Sequence, residues 1–243
     1  MAVSINDVRE TVLAICNKNN YGYISPDDFN LYAKQAQLEI FNEYMSKYNY
    51  YTNLENSHTS GSGLADLAES ERENIDMFVT SEVLTPVTIS GTSYLFNAPD
   101  DWYHIINVFF EPQPNILVEA EKIDRSQSIR ILNSNLTAPD ETCPAYGMVE
   151  AGASTPNGTI AIAPNTIQSD VRAVYIKYPS TPAWGYVTLT NGEPVHDPSS
   201  STDFEVAAHE ESRLVNKVLE KAGLSIREPE VYRSAQSEDN KPQ

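Results

Sequence analysis

The sequence predicts an α+β protein: a helical bundle built from both chain ends, with an antiparallel β-sandwich inserted between them. Three observations predict it. Apolar residues recur at helical spacing near both termini. Between residues 81 and 203 they alternate with polar ones or form short β-branched runs. That same stretch is cut up by Pro, Gly and Asn in turn-forming combinations. The expected parts are an N-terminal helical part at 1–80, the sandwich at 81–203, a C-terminal helix at 204–226 packing on the N-terminal helices, and an extended tail at 227–243.

Ser4 with Asp7 opens the first helix, in which Ile5, Val8, Val12 and Ile15 share a face, and Asn19-Asn20-Tyr21-Gly22 ends it. Ser25-Pro26-Asp27-Asp28 is the strongest helix start. It supplies an N-cap, a proline at the first helical position, and two carboxylates at the positive end of the helix dipole. Phe29, Ala33, Ala36, Ile40 and Tyr44 follow on one face, and the helix is expected to reach Lys47. Residues 48–63 (YNYYTNLENSHTSGSG) lose all periodicity and read as a loop or linker. Leu64–Thr80 resumes as a helix with Leu67, Ile75 and Phe78 inward, and its outer face is acidic.

Strands follow. Val83–Ile89 is interrupted by Pro86, Tyr94-Leu95-Phe96 is short, and Trp102–Phe110 is a long apolar run closed by Pro112 and Pro114. Ile116–Ala120 is another strand, and 121–133 is a short helix turning Ile123, Ile129 and Leu132 inward. Thr142–Tyr186 is an antiparallel meander whose clearest strand is Val171–Tyr178, cut off at Pro179 and Pro182. Trp184–Thr190 is expected to extend the sheet, Asn191-Gly192 to turn it, and His196–Thr202 to act as a linker. The last helix, His209–Ala222, carries Leu214, Val215, Val218 and Leu219 as its stripe. Glu210 and Glu211 stand at its start, Lys217 and Lys221 near its end, and Gly223 is its C-cap.

The charge excludes some functions. Sixteen Lys and Arg against 34 Asp and Glu give a net charge of −18, and no basic run is long enough to neutralise a row of phosphates. Tight nucleic-acid binding and adhesion to an anionic membrane are therefore not expected. An acidic surface serves solubility, or forms a wall that nucleic acid slides past without sticking. Fourteen tyrosines against two tryptophans suit half-wet contact surfaces or simply a β-rich composition. The start of the chain has no charged segment followed by an apolar core, so no signal peptide is expected, and no stretch is long and apolar enough to span a membrane. Cys16 and Cys143 lack a CxxC partner and read as free thiols in a reducing compartment.

Reactive motifs are missing. The four histidines, His58, His104, His196 and His209, have no metal-spaced partners, and Arg213 stands where a zinc-protease helix beginning at His209 needs its second histidine. There is no GxSxG, phosphate-binding loop or GxGxxG. Asp27-Asp28 is explained by capping and Asp100-Asp101 by a turn. The expectation is therefore a protein that is not an enzyme, with no catalytic residue, no cofactor and no metal.

SPDDFNLYAKQAQLEIFNEY, YLFNAPDDWYHIINV, CPAYGMVE, TIAIAPNTIQSDVRAVYIKYPSTPAWGY and STDFEVAAHEESRLVNKVLEKAGLSIREPEV occur in this order. With them the chain resembles the head-to-tail connector, or tail-tube adaptor, proteins of short-tailed bacteriophages, most of all the ring proteins of crAss-like phages. Asn97-Ala98-Pro99-Asp100-Asp101-Trp102 departs from the Leu-Pro-x-Asp-Phe-like element of related tail-tube proteins. The resemblance implies a structural protein of the virion's portal–tail region, made in the host bacterial cytoplasm. It implies a homo-oligomeric ring of about twelve copies whose head-to-tail contacts close. The ring's partners would be the portal protein and neighbouring ring or tail proteins, and DNA would pass through its channel without specific binding. Each contact would bury at least ~1,600 Å². Candidate contact residues are Tyr48, Tyr50, Tyr51, Arg227, Val231 and Tyr232, in segments expected to order on assembly. Two alternatives remain open. One is another virion module, for capsid decoration or fibre attachment. The other is a glycan-binding sandwich using Trp102 and Trp184.

Overall fold

The structure is a computed structural model that describes residues 3–18, 24–56, 72–113, 116–134, 136–149, 158–190 and 192–226. Its elements are α1 (Ile5–Lys18), α2 (Pro26–Asn56), β1 (Val79–Val83), β2 (Pro86–Ser90), β3 (Ser93–Asn97), β4 (Trp102–Gln113), β5 (Ile116–Lys122), α3 (Arg125–Leu132), β6 (Ala145–Val149), β7 (Thr159–Ala163), β8 (Val171–Lys177), β9 (Tyr186–Thr188), β10 (Pro194–His196) and α4 (Glu211–Ile226). Helices and a large mixed sheet make it α+β. The chain divides into two compact units: Met1–Ile75 with Pro179–Gln243, and Asp76–Tyr178.

In the first unit the helix starts follow the local chemistry. The Ser25 hydroxyl accepts the Asp28 N–H at 3.2 Å and donates to the Asp28 carboxylate at 2.6 Å, a reciprocal cap. The predicted stripe of α2, Phe29, Ala33, Ala36, Ile40 and Tyr44, is buried throughout. On α1, Ile5, Val8 and Val12 are buried, but Cys16 takes the fourth inward place and Ile15 is 37% exposed. α4 lies against α1 and α2 and buries Leu214, Val215, Val218 and Leu219. Each large side chain so buried contributes about 1.5–3 kcal/mol. The Asp203 carboxylate accepts the Ile5 N–H at 3.0 Å, and Val3 bridges to Phe204, which ties the start of α1 to the strand-like stretch before α4.

Several expectations for this unit are corrected. α2 does not stop at Lys47 but runs through Asn56, because nothing in YNYYTNLEN breaks a helix: it holds no Pro or Gly. Gly223 is a buried residue inside α4 and not its cap, since the helix continues to Ile226. β9 and β10 do not extend the large sheet. They pair only with each other, as a hairpin turning at Gly192, whose φ is 85°. The expected linker 196–202 is held at Asp197, whose carboxylate accepts hydrogen bonds from Ser199 and Ser200, and Thr202 bridges to Ala183.

The second unit is one eight-stranded sheet in the order β1-β8-β4-β5-β6-β7-β3-β2. It replaces the predicted antiparallel sandwich, because β5 and β6 pair in parallel, through Glu121–Ala145 and Lys122–Tyr146. A parallel pair needs a crossover, and α3 supplies it. β1 and β2 stand at opposite ends of the strand order yet are joined only by Leu84 and Thr85. Two residues reach about 7 Å, whereas eight strands laid flat would measure about 34 Å across. The sheet is therefore rolled, and its ends meet at this corner. The corner is pinned on both sides: the Leu84 N–H donates to the Val171 carbonyl at 2.8 Å and the Asn97 N–H to the Thr85 carbonyl at 2.9 Å. Phe96, Ile105, Val108, Ile160, Ile162, Val171 and Ala173 fill the interior.

Four local expectations change here. Residues 64–71 of the predicted Leu64–Thr80 helix, with Leu67, lie outside the described residues; 72–76 are helical, and the chain becomes strand at Val79. Ile75 and Phe78 are buried as predicted, but Phe78 sits in a turn. β4 continues through Pro112 because the pairing with β5 shifts register there, so no ladder bond is asked of the missing N–H. Of the three residues expected to turn inward, Ile123 and Leu132 are half-buried and face the sheet across a cavity, whereas Ile129 is 72% exposed.

Candidate assembly surfaces

Of the predicted contact residues, Tyr48 and Tyr50 lie on α2, the first half-buried and the second 63% exposed. Two positions apart on a helix they point about 200° from each other, so they do not make one patch. Tyr51 is on the same helix. Arg227, Val231 and Tyr232, and the tail they belong to, lie outside the described residues.

Two polar networks stabilise the interior of the first unit. Trp184 is 3% exposed. Its ring lies 3.7 Å from the Arg9 guanidinium carbon and stacks on Tyr186 and His196, with centroids 5.7 and 5.6 Å away. Its indole N–H donates to Asn6 at 3.1 Å, and its backbone exchanges hydrogen bonds with the Asn30 amide. Loop, α1, α2 and hairpin thus converge on one side chain. The second network joins α2 to α4. Lys217, 1% exposed, donates to Glu43 at 2.8 Å and to Glu39 at 3.2 Å. Lys221 also binds Glu39, and Arg213 binds Glu43 and Glu210. Burial pushes the Glu39 carboxyl up, but hydrogen bonds from Lys221 and Lys217 outweigh it and hold it below the ordinary glutamate value. Lys217 was expected to serve the helix dipole; the tertiary contact with α2 takes it instead.

The second unit has its own network. The Tyr175 hydroxyl, on β8, donates to Asp101 at 2.9 Å and lies 3.2 Å from Glu82. Burial, and then the bond and charge of Asp101 with those of Glu82, drive its pKa far above the ordinary tyrosine value. Glu82, Asp100 and Asp101 are all exposed, so this buried hydroxyl anchors an acidic corner of the surface.

The same unit leaves apolar strand surface uncovered. Every residue of β2 is exposed, with Val87 at 42% and Ile89 at 53%. Ile89 stands opposite Tyr94, whose ring packs on the core, so the inner face of the sheet is open at this edge. At the tip of the β4–β5 hairpin, Ile116 and Leu117 are 50% and 60% exposed. Beneath α3, a cavity of about 230 Å³ is lined by Leu95, Ile123, Leu132 and Met148, with Ser93 and Arg125 among its polar residues.

The histidines stay apart. His104 is exposed on β4, and partial burial of its ring with the nearby Lys122 charge holds its pKa below the ordinary value. His196 bonds Ser201 at 2.9 Å, His209 lies 3.8 Å from Glu210, and His58 is outside the described residues. Among the described residues no three of His, Cys, Asp and Glu are placed to hold a metal ion. Cys16 is buried, which raises its thiol pKa, and Cys143 is exposed. Trp102 is half-buried against the sheet core and Trp184 is enclosed. Among the described residues no helix is long and apolar enough to cross a membrane. No family model matches the chain, and no curated protein is similar to it.

Proposed function

We propose that this chain is a structural virion protein, copies of which form a ring around the DNA channel in the portal–tail neck of a short-tailed bacteriophage. The observation that carries the reading is the open edge at β2, exposed along its whole length with Val87 and Ile89 uncovered. In a protein that works alone, such an edge is a template for uncontrolled pairing. In a ring, every edge meets a neighbour. The net charge of −18 fits the same role, since an acidic wall repels phosphates and lets DNA slide. The sequence resemblance to connector and ring proteins points the same way. In this reading the helices from both chain ends form one bundle. The portal and adjoining ring or tail proteins are the partners above and below.

The test is mass photometry and negative-stain electron microscopy of the purified chain over a range of concentrations, with immunogold labelling of virions. Annular particles of about twelve copies and label at the neck are expected. A chain that stays monomeric at every concentration, or label on capsid faces or fibres, refutes the reading.

A further inference from the structure

We propose that α3 and the loop after it form one half of the contact between neighbouring copies, and that the Glu82–Asp100–Asp101 corner of the next copy forms the other half. The proposal rests on the ring reading above and names the surfaces that would build it.

α3 is an eight-residue helix with no buried residue. Helices this short are marginal in water and normally gain stability by pressing an apolar face onto the sheet. Here the space beneath α3 is a cavity, while Ile129 is 72% and Leu136 93% exposed. This is apolar surface that nothing among the described residues covers.

α3 itself is basic in an acidic chain, with Arg125 and Arg130 and no acid in the helix, while Asp140 and Glu141 lie at the far end of the loop after it. Three of the five Lys and Arg residues between Asp76 and Tyr178 are Lys122, Arg125 and Arg130. Among the described residues neither Lys122 nor Arg130 is in an ion pair, whereas on α4 Arg213, Lys217 and Lys221 all bind carboxylates of α2. Copies carrying −18 each repel one another unless opposite signs meet locally. α3 is where the sign changes, and the exposed Glu82–Asp100–Asp101 corner is its complement. Glu82 and Asp101 are held in place by the one Tyr175 hydroxyl, so the acidic half is preorganised.

Placement favours one kind of assembly. The cavity under α3 is lined from β3, β6 and β7, while the acidic corner belongs to β1, β8 and the start of β4, on the other half of the strand order. A two-fold contact centred on α3 would set Arg130 against Arg130 and is disfavoured by like charge. A basic patch that meets the acidic corner of the next copy, while its own acidic corner meets a third copy, makes a head-to-tail contact, the type that closes into rings. Ile129 and Leu136 would supply its apolar centre.

The test uses the full chain with Arg130→Glu, Asp100→Lys and the double variant, each at exposed positions. Arg172→Glu, a charge reversal at another exposed position of the same sheet, serves as control. Self-association is followed by sedimentation velocity, folding by circular dichroism, and burial of the face by the rate at which maleimide labels the exposed Cys143. Each single reversal is expected to weaken association about tenfold or more with melting unchanged. The double variant and the control are expected to associate like the parent, and Cys143 labelling to slow as copies associate. If the parent associates and the single variants do so equally well, the proposal falls and the ring reading stands. If the double variant fails to recover, the pairing of these two surfaces is overturned. If the parent never associates, the ring reading falls and takes this proposal with it.

Discussion

Replacing Lys217 with Met tests whether the cation at the centre of the α2–α4 network stabilises the fold. The ammonium lies 2.8 Å from one glutamate oxygen and 3.2 Å from another. At an effective dielectric constant of about 20, each pair is worth roughly 5–6 kcal/mol before solvation is counted. Most of that is offset by the cost of removing the ammonium from water, because its side chain is 2% exposed. The carboxylates are better placed. Glu39 and Glu43 keep 39% and 32% exposure, and each retains a second cation, Lys221 and Arg213. Loss of Lys217 therefore leaves neither acid orphaned, and the expected cost is about 1–3 kcal/mol, below the 3–5 kcal/mol of an unpaired buried charge. Met fills the same channel, so Lys217→Ala should cost at least about 1 kcal/mol more, through the cavity it leaves. Urea denaturation followed by Trp184 fluorescence, in a Trp102→Phe background, reads the first unit alone. The acid limb adds a second check. The Glu39 carboxyl is depressed, so its contribution is complete above the ordinary glutamate value of 4.5 and is lost as pH falls through the lowered one. In Lys217→Met that acid-induced loss should shrink. A Met variant as stable as the parent, or equal to the Ala variant, refutes the reasoning.

Three further outcomes follow from the geometry. Gly185→Ala would place a Cβ 2.7 Å from the Ser200 carbonyl carbon and 2.8 Å from its oxygen. Backbone must shift, and a loss of about 1–3 kcal/mol is expected in thermal denaturation. Tyr175→Phe removes the hydroxyl shared by Asp101 and Glu82 and should cost about 1 kcal/mol at neutral pH. The tyrosine's raised pKa makes its contribution complete below pH 10 and lost as pH rises beyond that, so parent and variant should converge in alkali. Asp140 accepts the Thr142 hydroxyl at 2.6 Å and the Thr142 and Cys143 N–H groups at 2.8 Å, which hold its carboxyl below the ordinary aspartate value. Carbon-13 titration should find it ionised where ordinary aspartates have begun to protonate.

Much of the fold was legible because it is local. A capping box and a stripe every third or fourth residue act within one or two turns. Ser25, Asp28 and the α2 face from Phe29 to Tyr44 therefore gave that helix's start and its buried side directly. The end of α2 was misjudged because Tyr48–Asn56 carry no apolar stripe, yet lack the breaker that would stop a helix already under way. The strands were found near their places, but which strand lies beside which is not encoded within any one of them. The candidate surface around α3 left one trace, three cations within nine residues of a chain with net charge −18. Hydrophobic periodicity placed Ile129 inward instead.

The sequence by itself determined the class, α+β, the helix starts, the inward faces of α2 and α4, and an acidic surface without a basic stripe. Only the tertiary structure decided that the sheet curls so that its two edge strands meet at Leu84 and Thr85 and that β5 and β6 run parallel. It alone joined Lys217 to Glu43 across 174 residues of chain. The division has one cause: periodicity and capping are short-range forces, while strand order and buried ion pairs are settled by residues that meet only once the chain has folded.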